Sequence, residues 1–157
     1  PINLKNAAEF KGTVIIFMCN HCPYVIHLIQ SIALIAVNYQ AKGFQFIGIN
    51  SNDIEHYPED SPEKMILFAK KYKLSFPYCY DESQVVAKSY QAACTPDFYV
   101  FNSQRNLVYR GRFDSSRPGN AIPPTGVDLL NALDCLIDNK PIPSVQYPSA
   151  GCNIKWK

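Results

Sequence analysis

The segment MCNHCPY, residues 18–24, contains two cysteines separated by two residues, with a histidine between them and a proline directly after them. This Cys-x-x-Cys spacing suits half of a structural zinc site, an inert structural disulfide or a redox-active disulfide. A structural zinc site needs a second ligand pair at short spacing, and the sequence has no second Cys-x-x-Cys and no His-x-x-x-His. The spacing therefore favours a redox-active pair, Cys19 and Cys22.

The flanking residues place this pair between a strand and a helix. Thr13–Met18 (TVIIFM) is short, uncharged and rich in β-branched residues, as in a buried strand. Apolar residues after Pro23 recur at helical spacing as far as Gly43. Cys22 then lies in the first helical turn, where unpaired amides and the helix dipole favour a thiolate. We expect a lowered cysteine pKa, with His21 adding positive charge or a hydrogen bond, and hence a strongly oxidising disulfide.

The rest of the chain alternates between strands and helices. The residue patterns predict strands at 44–50, 78–80, 97–102 and 107–112, and helices at 62–72, 82–90 and 127–139. The early alternation indicates parallel strands with helical crossovers, and the last two strands are expected to pair antiparallel. The predicted fold class is therefore α/β, with a central mixed β-sheet flanked by helices.

Length and composition describe one folded domain. The 157 residues are 47% hydrophobic and 13% aromatic, which is enough for a sizeable core. We predict a domain over residues 1–140 and an extended tail over residues 141–157 that packs on it.

A net charge of +2 without a basic run argues against nucleic-acid binding. His27, Gln30 and Ser31 interrupt the longest apolar stretch, which argues against a membrane span.

A second motif, ACTPDFYVF at residues 93–101, places Thr95 and Pro96 directly before a predicted strand. Proline is favoured at the first residue of a strand because it cannot donate to the ladder. Two interpretations remain open. Pro96 is either an ordinary trans turn proline or a cis proline beside the cysteine pair, which would leave the Thr95 backbone free to pair with an incoming peptide.

Together, the strand-ending Cys-x-x-Cys and the Thr-Pro before the strand pair resemble the thioredoxin superfamily. The segment at residues 76–102 is similar to its redoxin branch, which includes the AhpC/TSA and the TlpA/ResA-like proteins. More narrowly, the chain resembles a group of bacterial thioredoxin-like proteins, whose members are commonly labelled redoxin or antioxidant proteins. The shared signatures are FMCNHCPYVIH, NSNDIEHYPEDSPE, AACTPDFYVF, YRGRFDSSRPGN and GCNIKWK. The resemblance implies a thioredoxin-like fold with an inserted strand and helix before the cis-proline strand, and a redoxin domain over residues 1–140.

The resemblance also implies a role for each motif residue. Cys19 would be the exposed nucleophile that attacks a substrate disulfide, and Cys22 would resolve the mixed disulfide. Pro96 would be the cis proline and Thr95 its substrate-facing neighbour. His21 would tune the reduction potential, as the central histidine does in the oxidising CPHC motif of DsbA.

The sequence departs from thioredoxin around the motif. Met18 stands where thioredoxin has tryptophan, Asn20 and His21 replace Gly-Pro, and the strand at Thr13–Met18 contains no acidic residue to act as the buried acid below the motif. These departures favour an unusual potential or a dedicated partner over a generic reductase role.

We therefore predict a thiol–disulfide oxidoreductase that uses the pair Cys19 and Cys22 through a mixed disulfide, without a metal or organic cofactor. Substrates would be protein or small-molecule disulfides and thiols, with thioredoxin or glutathione as the electron partner. Oxidation, reduction and isomerisation all remain open as the direction of the reaction. The resemblance also implies a cytoplasmic location.

Two rival functions are weighed against this one. The first is a peroxiredoxin, whose active site has a Pro-x-x-x-Thr-x-x-Cys motif and a distant arginine. In this sequence Ile16 stands three residues before Cys19, where that motif has threonine. Three arginines could act as the peroxide-binding arginine, but surface salt bridges are their more typical use: Arg110, Arg112 and Arg117.

The second rival is a copper chaperone of the Sco kind, which has three residues between its cysteines and a distant histidine as a further ligand. His27 and His56 are better explained as hydrogen-bonded or solvent-facing side chains than as such ligands.

The remaining cysteines receive separate predictions. Cys79 and Cys135 lie among apolar residues and are expected to be buried filler residues. Cys94 lies two residues before Pro96 and is a candidate for an additional redox role. Cys152, in the tail, either belongs to a segment that packs Ile154 and Trp156 on the core or reaches a second cysteine, for which Cys94 is the first candidate.

Two polar segments are predicted to be structural. Residues 52–60 (NDIEHYPED) are expected to form a solvated loop that borders the active face. Asp114, Arg117 and Asn120 are expected to form a local hydrogen-bonded loop and not a substrate-recognition site.

Overall fold

The structure, a computed structural model, describes residues 9–157. Within this range five strands form one mixed sheet in the order β3-β2-β1-β5-β6. The first three are parallel, and β5 and β6 run antiparallel to their neighbours. The elements are β1 Gly12–Phe17, α1 Pro23–Gln40, β2 Phe44–Asn50, α2 Pro62–Tyr72, β3 Tyr78–Tyr80, α3 Val85–Tyr90, β4 Cys94–Thr95, β5 Asp97–Asn102, β6 Leu107–Gly111, α4 Val127–Ile137 and β7 Cys152–Asn153.

The central strand β1 determines where the core lies. Every residue of β1 is buried, and successive side chains point to opposite faces of the sheet. Val14 and Ile16 pack in the larger cluster, with residues of α1 and α4. Ile15 and Phe17 pack in a second cluster on the other face, which includes Ile154 of the tail. The predicted mixed sheet with flanking helices is therefore confirmed.

The helix and strand boundaries largely follow the sequence signals. Ser61 accepts a hydrogen bond from the backbone N–H of Lys64 and caps α2 as the N-cap pattern indicates. The helix predicted from residue 82 begins only at Val85, because Gln84 adopts a left-handed conformation with φ of 61°. The carboxylate of Asp81 accepts from the N–H of Ala87 and so holds the preceding turn.

The C-terminal tail contains a short strand that the sequence did not predict. Its short strand β7 pairs antiparallel with β4, so that Thr95 faces Cys152 and Cys94 faces Asn153. Ile154 is only 3% exposed, whereas Trp156 is 43% exposed. Of the two side chains expected on the core, only Ile154 is therefore buried there.

The polar segment 52–60 is solvated only in part, although it borders the cysteine pair as predicted. Its middle is exposed, but Asn52, Asp53 and Asp60 are buried, and Pro58–Asp60 forms a short 3-10 helix. Cys79 and Cys135, expected to be buried, are only half-buried. Among the described residues, no helix has the length and apolar character needed to cross a membrane.

Candidate active site

The two cysteines of the motif lie at the junction of β1 and α1. Cys22 is the N-cap of α1, and Pro23 occupies the first helical position, where proline costs no hydrogen bond. Both thiols are buried, with Cys19 1% and Cys22 0% exposed. The expectation of an exposed Cys19 is therefore wrong for this conformation.

Thr95 contacts both cysteines. Its Oγ1 lies 3.6 Å from Sγ of Cys19, and its carbonyl oxygen lies 3.2 Å from Sγ of Cys22. The Thr95–Pro96 peptide bond is cis, so the cis alternative considered for this proline is confirmed. Two segments more than 70 residues apart in sequence therefore form one site.

The surroundings of the pair favour a thiolate on Cys22. Hydrogen bonding with the Cys19 thiol lowers the pKa of Cys22, helped by Thr95 and by the backbone N–H groups of Val25 and Cys152, although burial acts in the opposite direction. The same hydrogen bond raises the pKa of Cys19, and burial and the charge of Asp60 raise it further. The expected lowering of a cysteine pKa at the helix N-terminus thus falls on the second cysteine of the motif.

Asp60 provides a buried carboxylate that the sequence analysis missed. It is 0% exposed and accepts hydrogen bonds from the backbone N–H of Asn20 and from the side-chain amide of Asn52, each at 2.8 Å. The inference that the motif lacks a buried acid was drawn from β1 alone and is wrong. The acid comes from the short 3-10 helix before α2, and its hydrogen bond to the backbone of Asn20 brings it next to the motif.

His21 lies between the cysteines and Asp60. Its Nδ1 is 2.8 Å from Oδ2 of Asp60, but the two atoms lack the alignment of a directed hydrogen bond. Its ring stacks on that of Tyr57, with centroids 5.9 Å apart, and its side chain is 32% exposed. One ligand atom each from Cys19, His21 and Asp60 lies within 4.8 Å of the other two. These three side chains could hold a metal ion.

Tyr78 is a second residue that the sequence analysis did not assign to the site. Its hydroxyl donates to Oδ1 of Asn20 at 3.0 Å and lies 3.4 Å from the carbonyl oxygen of Met18. Burial raises its pKa well above the usual value, so the group stays a neutral donor. Tyr78 therefore holds the loop that leads into the cysteine pair.

The backbone of Thr95 is already paired. In the β4–β7 ladder Thr95 lies opposite Cys152, and the N–H of Ile154 donates to the carbonyl of Ala93 at 3.2 Å. The expectation that this backbone is free for an incoming peptide is therefore wrong, because the tail of the same chain occupies the position.

Cys94 and Cys152 belong to neighbouring rungs of this ladder. Adjacent residues of a strand point to opposite faces, while directly opposed residues share a face. Cys152 therefore lies on the face of Thr95, and Cys94 lies on the other, with its Sγ 3.9 Å from the carbonyl oxygen of Pro96. The ladder thus argues against Cys94 as the first candidate partner of Cys152.

The two histidines and two of the three arginines named for the rival functions have hydrogen-bond partners of their own. Nε2 of His27 lies 2.6 Å from Oγ of Ser116, and Nδ1 of His56 lies 2.5 Å from Oδ2 of Asp53. Arg112 pairs with Asp128 at 2.7 Å, and Arg110 donates to the carbonyl of Gln91 at 2.6 Å. These contacts confirm hydrogen-bonded histidines and the salt bridge of Arg112.

The loop after β6 is hydrogen-bonded within itself, as predicted. Asp114 accepts from the backbone N–H groups of Ser116, Thr125 and Gly126 at 2.6–2.7 Å. Asn120 accepts from the backbone N–H of Arg117.

A separate cavity of about 730 Å³ lies against the second core cluster, away from the cysteine pair. Its lining combines apolar residues of β1 and β2 with polar residues before α3, including Ile15, Ile47, Asp81 and Glu82. Neither Cys19 nor Cys22 lines it, so this cavity is separate from the candidate site around the cysteine pair.

Comparison with known proteins identifies close structural relatives. An uncharacterized conserved protein from Geobacillus kaustophilus is 51% identical, with a TM-score of 0.96 over 99% of this chain and 82% of its own. A hypothetical protein from Sinorhizobium meliloti is 41% identical, with a TM-score of 0.97 over 99% of this chain and 85% of its own. No curated protein matches the sequence.

More distant structures share the fold. A thiol-disulfide isomerase from Corynebacterium glutamicum is 21% identical, with a TM-score of 0.64 over 87% of this chain and 88% of its own. At that identity the likeness establishes a thioredoxin-like fold alone. The AhpC/TSA family pattern matches residues 1–110, more than half of the chain. The chain therefore belongs to the AhpC/TSA family and has a thioredoxin-like fold.

Proposed function

We propose that the protein is a thiol–disulfide oxidoreductase whose redox-active pair is Cys19 and Cys22. The observation that carries the proposal is the placement of the pair: Cys22 is the N-cap of α1, and Thr95, which precedes the cis proline, contacts the sulfurs of both cysteines. Stabilising a thiolate in the reduced form weakens the disulfide relative to the dithiol. Family membership supports a general redox role.

The exchange proceeds in two displacements. Cys19 gives its proton to the Cys22 thiolate through their shared hydrogen bond and attacks a substrate disulfide, forming a mixed disulfide and releasing one substrate thiolate. Cys22 then loses that proton to the departing thiolate and attacks Sγ of Cys19. The Cys19–Cys22 disulfide forms, the mixed disulfide breaks, and the second substrate thiol leaves. Run in reverse, the same steps oxidise a substrate dithiol.

His21 and Asp60 act as positioning residues in this scheme. The carboxylate of Asp60 holds the Asn20 backbone next to the motif and contacts the imidazole of His21. Its negative charge opposes a resting thiolate on Cys19. Asp60 therefore keeps the negative charge of the reduced pair on Cys22 until a substrate is engaged.

Substrates are protein or small-molecule disulfides and thiols, and thioredoxin or glutathione serves as the electron partner in the cytoplasm. Because both sulfurs are buried and the Thr95 edge is occupied by the tail, the residues around Cys19 must move aside when a substrate binds. No organic cofactor takes part in this chemistry.

A trapping experiment tests the assignment of roles. The Cys22→Ser variant is incubated with oxidised glutathione or a disulfide-bonded peptide and analysed by peptide mass mapping. We expect a stable mixed disulfide on Cys19, whereas the unaltered protein and the matched control Cys135→Ser proceed to the Cys19–Cys22 disulfide. Absence of any adduct on Cys19 in Cys22→Ser contradicts the proposal.

Metal binding is a second candidate function, because Cys19, His21 and Asp60 lie close enough to ligate one ion. A thiolate and an imidazole suit Cu(I) or zinc. Anaerobic titration of the reduced protein with either metal tests this, with Asp60→Asn and Glu59→Gln compared. Stoichiometric tight binding that Asp60→Asn weakens supports it, and binding that is equal in all three proteins contradicts it.

A further inference from the structure

We propose that Cys152 is a third redox residue of this site, which exchanges into the Cys19–Cys22 disulfide to give a Cys22–Cys152 disulfide and a free Cys19 thiol. The inference rests on the proposed function, because it uses the disulfide formed there. It assigns chemistry to a tail strand that the two-cysteine scheme leaves without a role.

The register of the β4–β7 ladder directs Cys152 toward the pair. Thr95 and Cys152 are directly opposed in this antiparallel ladder, and side chains of opposed residues project from the same face. The Thr95 side chain on that face contacts Cys19, with Oγ1 3.6 Å from Sγ. The side chain of Cys152 is therefore on the face that carries the cysteine pair.

The backbone of the tail also approaches the second cysteine closely. The carbonyl of Thr95 contacts Sγ of Cys22 at 3.2 Å, and the same carbonyl packs against Gly151. A Cβ placed on Gly151 would lie 2.0 Å from that oxygen, well below any allowed contact. Because Gly151 has no side chain, its backbone can lie against the Thr95 carbonyl that contacts Cys22. This contact brings the next residue, Cys152, close to the pair.

Contacts on the C-terminal side of Cys152 fix its position. The backbone carbonyl of Lys155 accepts from the N–H of Asp53 at 2.8 Å, and the N–H of Lys155 donates to Oδ1 of Asn52 at 2.9 Å. Ile154 is buried in the second core cluster. A thiol held in this way has a high effective concentration at Cys22, since closing the disulfide requires little further ordering of the chain.

Cys152 is expected to remain a protonated thiol while the Cys19–Cys22 pair is reduced. Burial and a hydrogen bond with Cys22 raise its pKa to about 11. In the reduced state Cys152 therefore keeps its proton while Cys22 carries the charge. When Cys22 enters a disulfide, the negative charge that opposes ionisation of Cys152 is lost.

The proposed step changes neither the number of disulfide bonds nor the oxidation state of the protein. Cys152 loses its proton to solvent, and its thiolate attacks Sγ of Cys22 in the Cys19–Cys22 disulfide. The Cys22–Cys152 bond forms, the Cys19–Cys22 bond breaks, and Cys19 leaves as a thiolate that takes up a proton. One disulfide is exchanged for another, so no external oxidant or reductant is consumed. The product is an oxidised protein with a free nucleophilic cysteine.

The Cys19→Ser variant isolates this step. It is oxidised in glutathione buffers, quenched in acid and digested for disulfide mapping. We expect a predominant Cys22–Cys152 disulfide. The matched variant Cys19→Ser/Cys152→Ser should instead carry glutathione on Cys22, and Cys19→Ser/Cys94→Ser should form Cys22–Cys152 as the single variant does. Glutathione on Cys22 of Cys19→Ser without a Cys22–Cys152 disulfide overturns the inference, and so does a Cys22–Cys94 disulfide.

The unaltered protein separates this inference from the proposed function. At intermediate oxidation we expect both Cys19–Cys22 and Cys22–Cys152 peptides, with Cys152→Ser giving only the first. If Cys19–Cys22 forms but no Cys22–Cys152 peptide accompanies it, the relay is wrong and the two-cysteine mechanism stands. If Cys22–Cys152 forms in Cys19→Ser while Cys22→Ser yields no adduct on Cys19, the two-cysteine mechanism is wrong and the proximity of Cys152 stands.

Discussion

The sulfur of Cys22 lies 3.2 Å from the backbone carbonyl oxygen of Thr95, a residue 73 positions further along the chain. This carbonyl accepts a hydrogen bond from Cys22 only while the thiol is protonated. Hydrogen bonding with the Cys19 thiol acts in the opposite sense and lowers the pKa of Cys22, although burial raises it. The balance favours the thiolate on Cys22, which is also the N-cap of α1.

The first prediction concerns the pH dependence of this thiolate. In the reduced protein, Cys22 should titrate well below the ordinary range of a thiol, since hydrogen bonding with Cys19 stabilises the charged form. Its folded-state pKa is depressed, so the thiolate persists at neutral pH and is lost as the pH falls through that lowered pKa. Ultraviolet thiolate absorbance measures it, with Cys22→Ser as the variant that lacks the transition and Cys135→Ser as the control that keeps it. A transition only near pH 9 would contradict the assignment.

Removing the buried carboxylate should make Cys19 easier to ionise. The charge of Asp60 contributes to the raised pKa of Cys19, so Asp60→Asn should lower that pKa and speed alkylation of Cys19 at neutral pH. One pKa unit corresponds to roughly a tenfold change in thiolate population well below the pKa, and we expect an increase of about three- to tenfold. Alkylation rates are measured residue by residue with mass spectrometry.

The control for this variant is Glu59→Gln. Glu59 is the neighbouring carboxylate, but it is exposed and paired with Lys64. Its loss should leave the Cys19 rate unchanged. An Asp60→Asn protein that is folded and reacts no faster than Glu59→Gln rules out the electrostatic role of Asp60.

A methyl group on Gly151 should displace the tail strand. Its Cβ would lie 2.0 Å from the carbonyl oxygen of Thr95, so Gly151→Ala cannot keep the β4–β7 ladder unchanged. We expect faster hydrogen exchange at Cys152 and Asn153 and at least tenfold faster alkylation of Cys152. The steric control is Gly119→Ala, because a Cβ there meets no atom within 4 Å. Equal protection of Cys152 in both variants would show that the ladder does not depend on this contact.

Loss of the Tyr78 hydroxyl should loosen the loop before the pair. Tyr78→Phe removes the donor to Oδ1 of Asn20 while keeping the ring packed against Phe68. A buried hydrogen bond contributes about 1 kcal/mol, and we expect a loss of that size in the free energy of unfolding. Denaturant titration measures it, with Tyr147→Phe as the comparison for a half-exposed tyrosine. A stability change no larger than that of Tyr147→Phe speaks against the role of Tyr78.

The sequence predicted the sheet and most helices because their signals are local. Strand β2 and helix α2 have the predicted boundaries, since a short uncharged segment rich in Phe and Ile and a Ser-Pro start are read from neighbouring residues. The two-residue strands β4 and β7 have no such pattern. They exist because Thr95 and Cys152, far apart in the chain, pair with each other.

In the candidate site too, the residues in local motifs were predictable from the sequence, whereas a residue placed there by long-range contacts was not. Cys19, Cys22 and Thr95 stand in recognisable motifs, and the structure brings them together. Asp60 was missed because its segment is polar and rich in turn residues, which indicates solvent exposure. Its burial depends on donors from Asn20 and Asn52, and neither contact leaves a periodic signal in the sequence.

The most direct test of the central claim is the reduction potential of the Cys19–Cys22 pair, measured in glutathione buffers with thiols assigned by mass spectrometry. Stabilisation of the Cys22 thiolate predicts a two-electron transition above about −200 mV, more oxidising than the value of about −270 mV for thioredoxin. A potential near −270 mV or lower would contradict the proposed electrostatic control. Failure of these two cysteines to form a disulfide in any buffer would contradict the oxidoreductase assignment itself.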